Sequence, residues 1–127
     1  MAEVVLAREI FDRLRQATAG DTGVLADLCR EYIGEARATI ANLRQALAEG
    51  NAPEFRERAH YLKGSSLMIG ARQLSQCCAT LEQMGRDSDL IAAGAALEQA
   101  VAALRAVEEE LIKDVGPVAL PAEGSAA

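Results

Sequence analysis

The chain has 127 residues, a length that fits one domain with a substantial hydrophobic core. Half of its residues are hydrophobic but only 3% are aromatic, and Ala and Leu, which are strong helix formers, supply much of the apolar content. The composition therefore favours helix over sheet. The net charge of −6 argues against a nucleic-acid-binding protein, because such a protein needs a basic surface to neutralise phosphates.

Three features of the sequence predict a cytoplasmic protein that does not associate with membranes. The first ten residues lack the charged region, apolar core and cleavage site of a secretory signal. No apolar run approaches the roughly 20 residues that span a bilayer. The odd number of cysteines, two of them adjacent, makes a poor disulfide framework, so we expect Cys29, Cys77 and Cys78 to be reduced core thiols. A single His and these thiols lack metal-ligand spacing, and we expect no metal site.

The N-terminal half of the chain predicts two helices. From Glu3 to Ala17, four apolar residues fall on one stripe, Leu6, Ile10, Leu14 and Ala17. A long amphipathic helix is then predicted from about Thr22 to Ala48, with Asp21 or Thr22 as its N-cap. Its apolar residues recur every three or four positions, at Leu25, Leu28, Tyr32, Ala36, Ile40, Leu43 and Leu47.

Three further helices follow. The third opens at Asn51 or Ala52 and runs to about Ile69, where Gly70 suits a left-handed C-terminal turn. The fourth spans Ala71 to about Gly85, and residues 87–89 supply a turn and an N-cap. The fifth runs from about Leu90 to Lys113, with its apolar residues at Leu90, Leu97, Val101, Leu104, Leu111 and Ile112.

Four substantial amphipathic helices joined by short loops predict an all-α fold, an antiparallel four-helix bundle. We expect the short N-terminal helix to pack across one end of the bundle as a cover. The domain is predicted to comprise residues 1–114. Residues 115–127 have small side chains, two prolines and no apolar period, which predicts a disordered tail.

The third helix carries the most informative residues. Its core face is predicted to hold Phe55, Ala59, Leu62, Ser66 and Ile69. A second stripe follows the same spacing one residue further on, or about 100° around the helix, and consists of His60, Lys63, Gly64 and Leu67. An imidazole on this shoulder of the core face would be held by its neighbours and still be reachable by another protein.

Each polar position on this second stripe suits nucleophilic phosphoryl chemistry. Imidazole is a nucleophile near neutral pH, and histidine can form covalent intermediates. Lys63, one turn from His60, is a compact positive charge that can reach phosphoryl oxygens. Gly64 costs about 1 kcal/mol relative to Ala inside a helix, so we expect its missing side chain to clear space for a partner. Ser65 and Ser66 are expected to bond back to the helix and to carry no chemistry.

The run AHYLKGSS from Ala59 to Ser66 closely resembles the pattern of histidine-containing phosphotransfer (HPt) domains. The resemblance continues without a gap to Gly85-Arg86, and with the flanking helices it covers roughly residues 5 to 113. It implies a carrier rather than an enzyme: His60 would accept a phosphoryl group on Nε2 from the aspartyl phosphate of a receiver domain and pass it to another receiver. The catalytic machinery, including Mg²⁺, would belong to the receiver, so the chain would need no cofactor of its own.

Carried over residue by residue, the resemblance makes His60 the phosphoacceptor, Lys63 the charge partner and Gly64 the clearance residue. An apolar docking patch for the receiver would include Tyr61, Leu67 and Met68, and we group Glu82 with these docking residues.

Glu82 departs from the family pattern, because in some HPt proteins a glutamine at this position hydrogen-bonds the histidine. Arg86 matches an arginine that supports the site. A carboxylate at position 82 could orient His60 by accepting from Nδ1–H, although it would repel a phosphoryl group near the docking face. The other interpretation is that Glu82 pairs with Arg86 one turn away.

The partners implied by the resemblance are response-regulator receiver domains and a (hybrid) histidine kinase in a multistep two-component phosphorelay, with this chain as a monomer. The alternative function is a helical adaptor that binds a signalling partner through the His60 face without phosphotransfer. A histidine kinase dimerisation domain is a third class, but it would need an ATP-binding domain with Gly-rich phosphate loops, which these residues do not hold.

Overall fold

The computed structural model describes residues 4–19 and 21–116, apart from the side chain of Thr22. These residues form five helices, α1 (Arg8–Ala17), α2 (Thr22–Ala48), α3 (Ala52–Ile69), α4 (Arg72–Arg86) and α5 (Ala93–Val115). The predicted tail begins at residue 115, which is the last residue of α5, and residues 117–127 lie outside the described part of the chain. None of the described helices combines the length and apolar character that a bilayer crossing needs.

Helices α2 to α5 form the predicted antiparallel four-helix bundle. Each packs against the next, α5 returns to pack against α2, and the most extensive contact is between α3 and α4. Side-chain pairs show the opposite directions of α2 and α3: Tyr32 meets Ser66, whereas Glu35, further along α2, meets the earlier residue Tyr61. The predicted fold class is confirmed.

The interior of the bundle is filled largely by the predicted apolar stripes. The largest fully buried side chains include Phe11, Leu25, Ile33, Leu43, Phe55, Leu62, Leu74, Leu81, Leu97, Val107 and Leu111. Three residues of the predicted apolar stripes are exposed instead, Ala17, Leu28 and Ile112. On α1 the buried position belongs to Phe11, whereas the predicted Ile10 is only partly buried.

Of the three N-caps that the sequence predicted, those of α2 and α3 are present. Asp21 caps α2 by accepting from the backbone N–H groups of Gly23 and Val24, and Asn51 caps α3 through the N–H of Glu54. The predicted N-cap in residues 87–89 is wrong: α5 starts later, after Ala92, without a side-chain cap.

Residues 4–7, which precede α1, are not helical, although the sequence predicted a helix from Glu3, a residue that lies outside the described part of the chain. The N–H of Ala7 donates to the carbonyl of Gly70 at 2.7 Å, and the N–H of Gln73 donates to the carbonyl of Val4 at 3.0 Å. Gly70 has the predicted left-handed conformation, with φ of 87°. A side chain there would come within 3.1 Å of the Ala7 carbonyl, so glycine allows the N-terminal segment to lie across the α3–α4 turn.

Ion pairs attach α1 to the end of α5. Arg8 pairs with Glu110 and Asp114, and Arg15 reaches Asp114 at 3.4 Å. Together with the backbone bonds around Gly70, they place α1 across one end of the bundle, as predicted.

The cysteine thiols are free, and two of them are buried in the core. Burial raises the pKa of Cys29 to about 11 and that of Cys78 to about 12. Since the thiolate is the reactive form, these thiols are inert core residues at neutral pH.

We predict that Gly85→Ala destabilises the protein by about 1–3 kcal/mol in urea unfolding, because the added Cβ would lie 2.8 Å from backbone and Cβ atoms of Arg56 and would force α3 and α4 apart. Gly64→Ala is the matched control. A Cβ there meets no heavy atom of the described residues within 4 Å outside its own helix, so stability should stay equal or rise by up to about 1 kcal/mol. Equal stabilities for the two variants would contradict this account of the α3–α4 contact.

Candidate functional site

His60 lies midway along α3, on the shoulder of the core face that the sequence predicted. Ala59 and Leu62 on the neighbouring stripe are fully buried and fix the helix against the bundle. The His60 side chain remains 66% exposed. The imidazole therefore combines a fixed backbone with access from solvent.

Glu82 of α4 lies beneath the imidazole. Its side chain is only 7% exposed, and its Oε2 lies 2.9 Å from Nδ1 of His60. An ionised carboxylate can only accept hydrogen bonds, so in the neutral ring Nδ1 carries the proton. The lone pair is then on Nε2, the nitrogen that does not contact Glu82.

Two basic side chains share the same carboxylate. Lys63 donates from Nζ to Oε1 of Glu82 at 2.5 Å, and Arg86 reaches Oε2 at 3.4 Å. The hydrogen bond from Lys63 lowers the pKa of Glu82 below the ordinary carboxyl value, with a further contribution from His60 and against the effect of burial. Glu82 is consequently ionised near neutral pH.

The close approach of α3 and α4 brings Glu82 under His60. One turn after Glu82, Gly85 lies directly against the backbone of Arg56. A side chain at position 85 would hold the helices further apart. The glycine thus serves the site as well as the packing.

The residues predicted to meet a partner are exposed around His60. Gly64 faces open space, and among the predicted docking residues Tyr61 and Leu67 are half exposed and Met68 is 77% exposed. Tyr61 donates from its hydroxyl to Glu35 of α2 at 2.9 Å, which holds the ring on the surface. Glu82 had been grouped with these docking residues, and its burial corrects that assignment: it supports the imidazole from below.

The two serines after Gly64 behave differently. Ser65 bonds back to the carbonyl of Leu62, as predicted. Ser66 instead shares a buried hydrogen bond of 2.8 Å with Tyr32, which links α2 to α3 beside the site. The prediction for Ser66 was wrong because its partner lies on another helix.

Sequence reasoning missed two features of the site. It assigned Lys63 to a phosphoryl group, whereas in the structure this residue pairs with Glu82. The position of Glu82 beside the buried stripe of the fourth helix could have indicated this pair, because a carboxylate near the core requires a cation. It also placed Leu28 in the core, but that side chain is 42% exposed. Leu28 lies one turn before Tyr32 on α2, toward the end of α3 that carries Leu67 and Met68.

The chain matches the family model of the Hpt domain over residues 27–111, which is more than half of its length. It therefore belongs to the Hpt domain family, as the resemblance of the segment around His60 predicted.

Two relatives agree with this assignment. The chain is 26% identical over 82 residues to multistep phosphorelay regulator 1 of Schizosaccharomyces pombe, and 30% identical over 67 residues to phosphorelay intermediate protein YPD1 of Saccharomyces cerevisiae. The matches cover 64% and 52% of this chain. They span only 28% and 40% of the two relatives' own lengths.

Two solved structures share the fold. One is histidine-containing phosphotransfer protein B (HptB) of Pseudomonas aeruginosa PAO1, with a TM-score of 0.82 and 24% identity over 90% of this chain and 96% of that one. The other is yeast YPD1p, with a TM-score of 0.86 and 18% identity over 92% and 98% of the two chains. At sequence identities this low, the similarity shows a shared fold alone.

We predict that Lys63→Met lowers the free energy of unfolding by about 1–2 kcal/mol at pH 7, because it leaves the buried Glu82 carboxylate with less compensation. Since the pKa of Glu82 is lowered in the folded state, the stabilising contribution is present above the ordinary value of 4.5 and is lost as the pH falls through the folded-state value. The difference between the variant and the unmodified chain should therefore shrink below about pH 4.5 in urea unfolding.

Lys113→Met is the control, because Lys113 is largely exposed and lies 3.9 Å from Glu110. It should change stability by no more than about 0.5 kcal/mol at either pH. If Lys63→Met changed the free energy of unfolding as little as the control does, or by the same amount in acid as at pH 7, the pairing of Lys63 with Glu82 would be contradicted.

Proposed function

We propose that the chain is a histidine phosphotransfer protein of a multistep phosphorelay, in which His60 accepts a phosphoryl group from the aspartyl phosphate of one receiver domain and passes it to another. The single observation that carries this proposal is the pairing of an exposed imidazole with a buried carboxylate at Nδ1. That pairing leaves Nε2 as the nucleophile.

The chemistry of acceptance follows from this geometry. Nε2 would attack the phosphorus of the aspartyl phosphate, and the bond from phosphorus to the aspartate oxygen would break. Nδ1 keeps its proton, and Glu82, 2.9 Å away, balances the positive charge that the ring acquires. Lys63 and Arg86 reduce the repulsion between the Glu82 carboxylate and the phosphoryl group, because both already pair with that carboxylate.

The exposed residues around His60 supply a surface for a receiver domain. Tyr61, Leu67 and Met68 present apolar area beside the imidazole, and we extend the predicted patch to Leu28 on α2. Gly64 leaves room next to the ring for the active site of the partner. The partners would be response-regulator receivers and a histidine kinase, and Mg²⁺ would be bound by the receiver.

We predict that His60→Gln abolishes transfer of label from a phosphorylated receiver, because the chain has a single histidine. The circular dichroism spectrum of the variant should remain that of a helical bundle. The label on the unmodified chain should be acid-labile and base-stable, as a phosphohistidine is. Receiver binding without any labelling of the unmodified chain would instead support the adaptor function.

We predict that Gly64→Gln slows transfer by at least tenfold through crowding of the partner, while the bundle remains at least as stable, since Gly is the poorer helix former. Rapid-quench measurement of transfer from a phosphorylated receiver gives the rate. Thr80→Gln is a control at an exposed position of α4 that does not contact His60. If Gly64→Gln transferred at the rate of the unmodified chain, clearance would not be the function of this glycine.

A further inference from the structure

We infer that Glu82 is a positioning residue for release as well as for acceptance: it keeps Nδ1 of phosphorylated His60 protonated, so that the phosphoryl group departs from an imidazolium. The inference deepens the proposed phosphotransfer function and rests on it for its biological meaning. It predicts that a carboxylate at position 82, where some HPt proteins have a glutamine, changes the rate at which the phosphoryl group is released.

The leaving group determines how readily a phosphohistidine gives up its phosphoryl group. When the P–Nε2 bond breaks, its electron pair goes to Nε2. If Nδ1 carries a proton, the ring leaves as neutral imidazole. If Nδ1 has lost its proton, the ring must leave as an imidazolate anion, which is a much poorer leaving group. The phosphoryl group passes to an oxygen of the acceptor, either a receiver aspartate or water.

Glu82 is placed to favour the protonated form. Its Oε2 lies 2.9 Å from Nδ1, and an opposite charge at this distance stabilises a cation. Its carboxylate is fixed, because it is buried and because Oε1 is bonded to Lys63. A glutamine amide in the same place could accept the same hydrogen bond, but it would bring no charge.

The other charged groups near the ring do not contact Nδ1. Two of them reduce the stabilisation that Glu82 gives to the protonated ring. On α3, Lys63 lies one turn from His60, and on α4, Arg86 reaches the same carboxylate. On α2, Glu35 is bonded to the hydroxyl of Tyr61. Helix α1 meets α3 at its Gly70 end. Because Lys63 and Arg86 offset part of the Glu82 charge, removal of that charge should move the pH profile of hydrolysis by less than it would in an isolated pair.

The test separates this inference from the proposed function by using phosphoramidate in place of a receiver. Phosphoramidate is a small phosphoryl donor that labels histidine directly. The full chain and Glu82→Gln would be labelled, freed of reagent and followed by ³¹P NMR as the phosphohistidine hydrolyses between about pH 5 and 10. Hydrolysis should slow as the pH rises, since Nδ1 loses its proton.

For Glu82→Gln, the midpoint of this pH profile should lie about one unit lower, so that hydrolysis above the midpoint is about tenfold slower than in the unmodified chain. Glu35→Gln is the matched control, because it removes the same charge from a neighbouring exposed carboxylate that bonds to Tyr61 rather than to His60. Its profile should coincide with that of the unmodified chain.

Coincident profiles for the unmodified chain and Glu82→Gln would overturn the inference. An equal shift in Glu35→Gln would also overturn it, because the effect would then be one of general charge. A rate change at all pH values with an unmoved midpoint would indicate altered helix packing alone and would also overturn the inference. Loss of transfer between this chain and receivers would count against the proposed function and would leave the hydrolysis result standing.

Discussion

The site is built around a carboxylate that the fold buries. Removing an ionised carboxylate from water is costly unless donors surround it, and Glu82 has three: the His60 ring, the Lys63 ammonium and the Arg86 guanidinium. Two of these donors come from α3 and one from α4. The same contacts that stabilise the charge therefore join the two helices and orient the imidazole, so the site cannot change without changing the packing beneath it.

The backbone geometry makes this arrangement possible. Gly85 lets α4 lie against α3 at Arg56, and Gly70 closes the turn between the two helices in a left-handed conformation. Around that turn, backbone bonds from Ala7 and Gln73 hold the N-terminal segment in place. The cover over this end and the carboxylate under His60 thus depend on one tightly packed helix hairpin, while the outer face of α3 stays open to a partner.

Periodicity was enough to predict the bundle and the shoulder position of His60, because apolar spacing depends on the helix itself. Periodicity alone could not predict contacts between helices, and the possible contact of Glu82 with His60 came from the family resemblance. Lys63 and Glu82 are far apart in the sequence, and their pairing depends on the register of α3 against α4. The predicted start of α1 was wrong because it too depends on a contact with another part of the chain: the N–H of Ala7 donates to the carbonyl of Gly70. Leu28 and Cys29 are neighbours, and only the packing decides which is buried.

The central claim is that Glu82 holds the proton of neutral His60 on Nδ1 and leaves Nε2 as the nucleophile. The most direct measurement is ¹⁵N NMR of the single imidazole at alkaline pH, where long-range couplings to the ring protons identify the nitrogen that carries hydrogen. The account predicts a predominant Nδ1–H form in the unmodified chain and its loss in Glu82→Ala. A ring that carries its proton mainly on Nε2 in the unmodified chain would contradict the account.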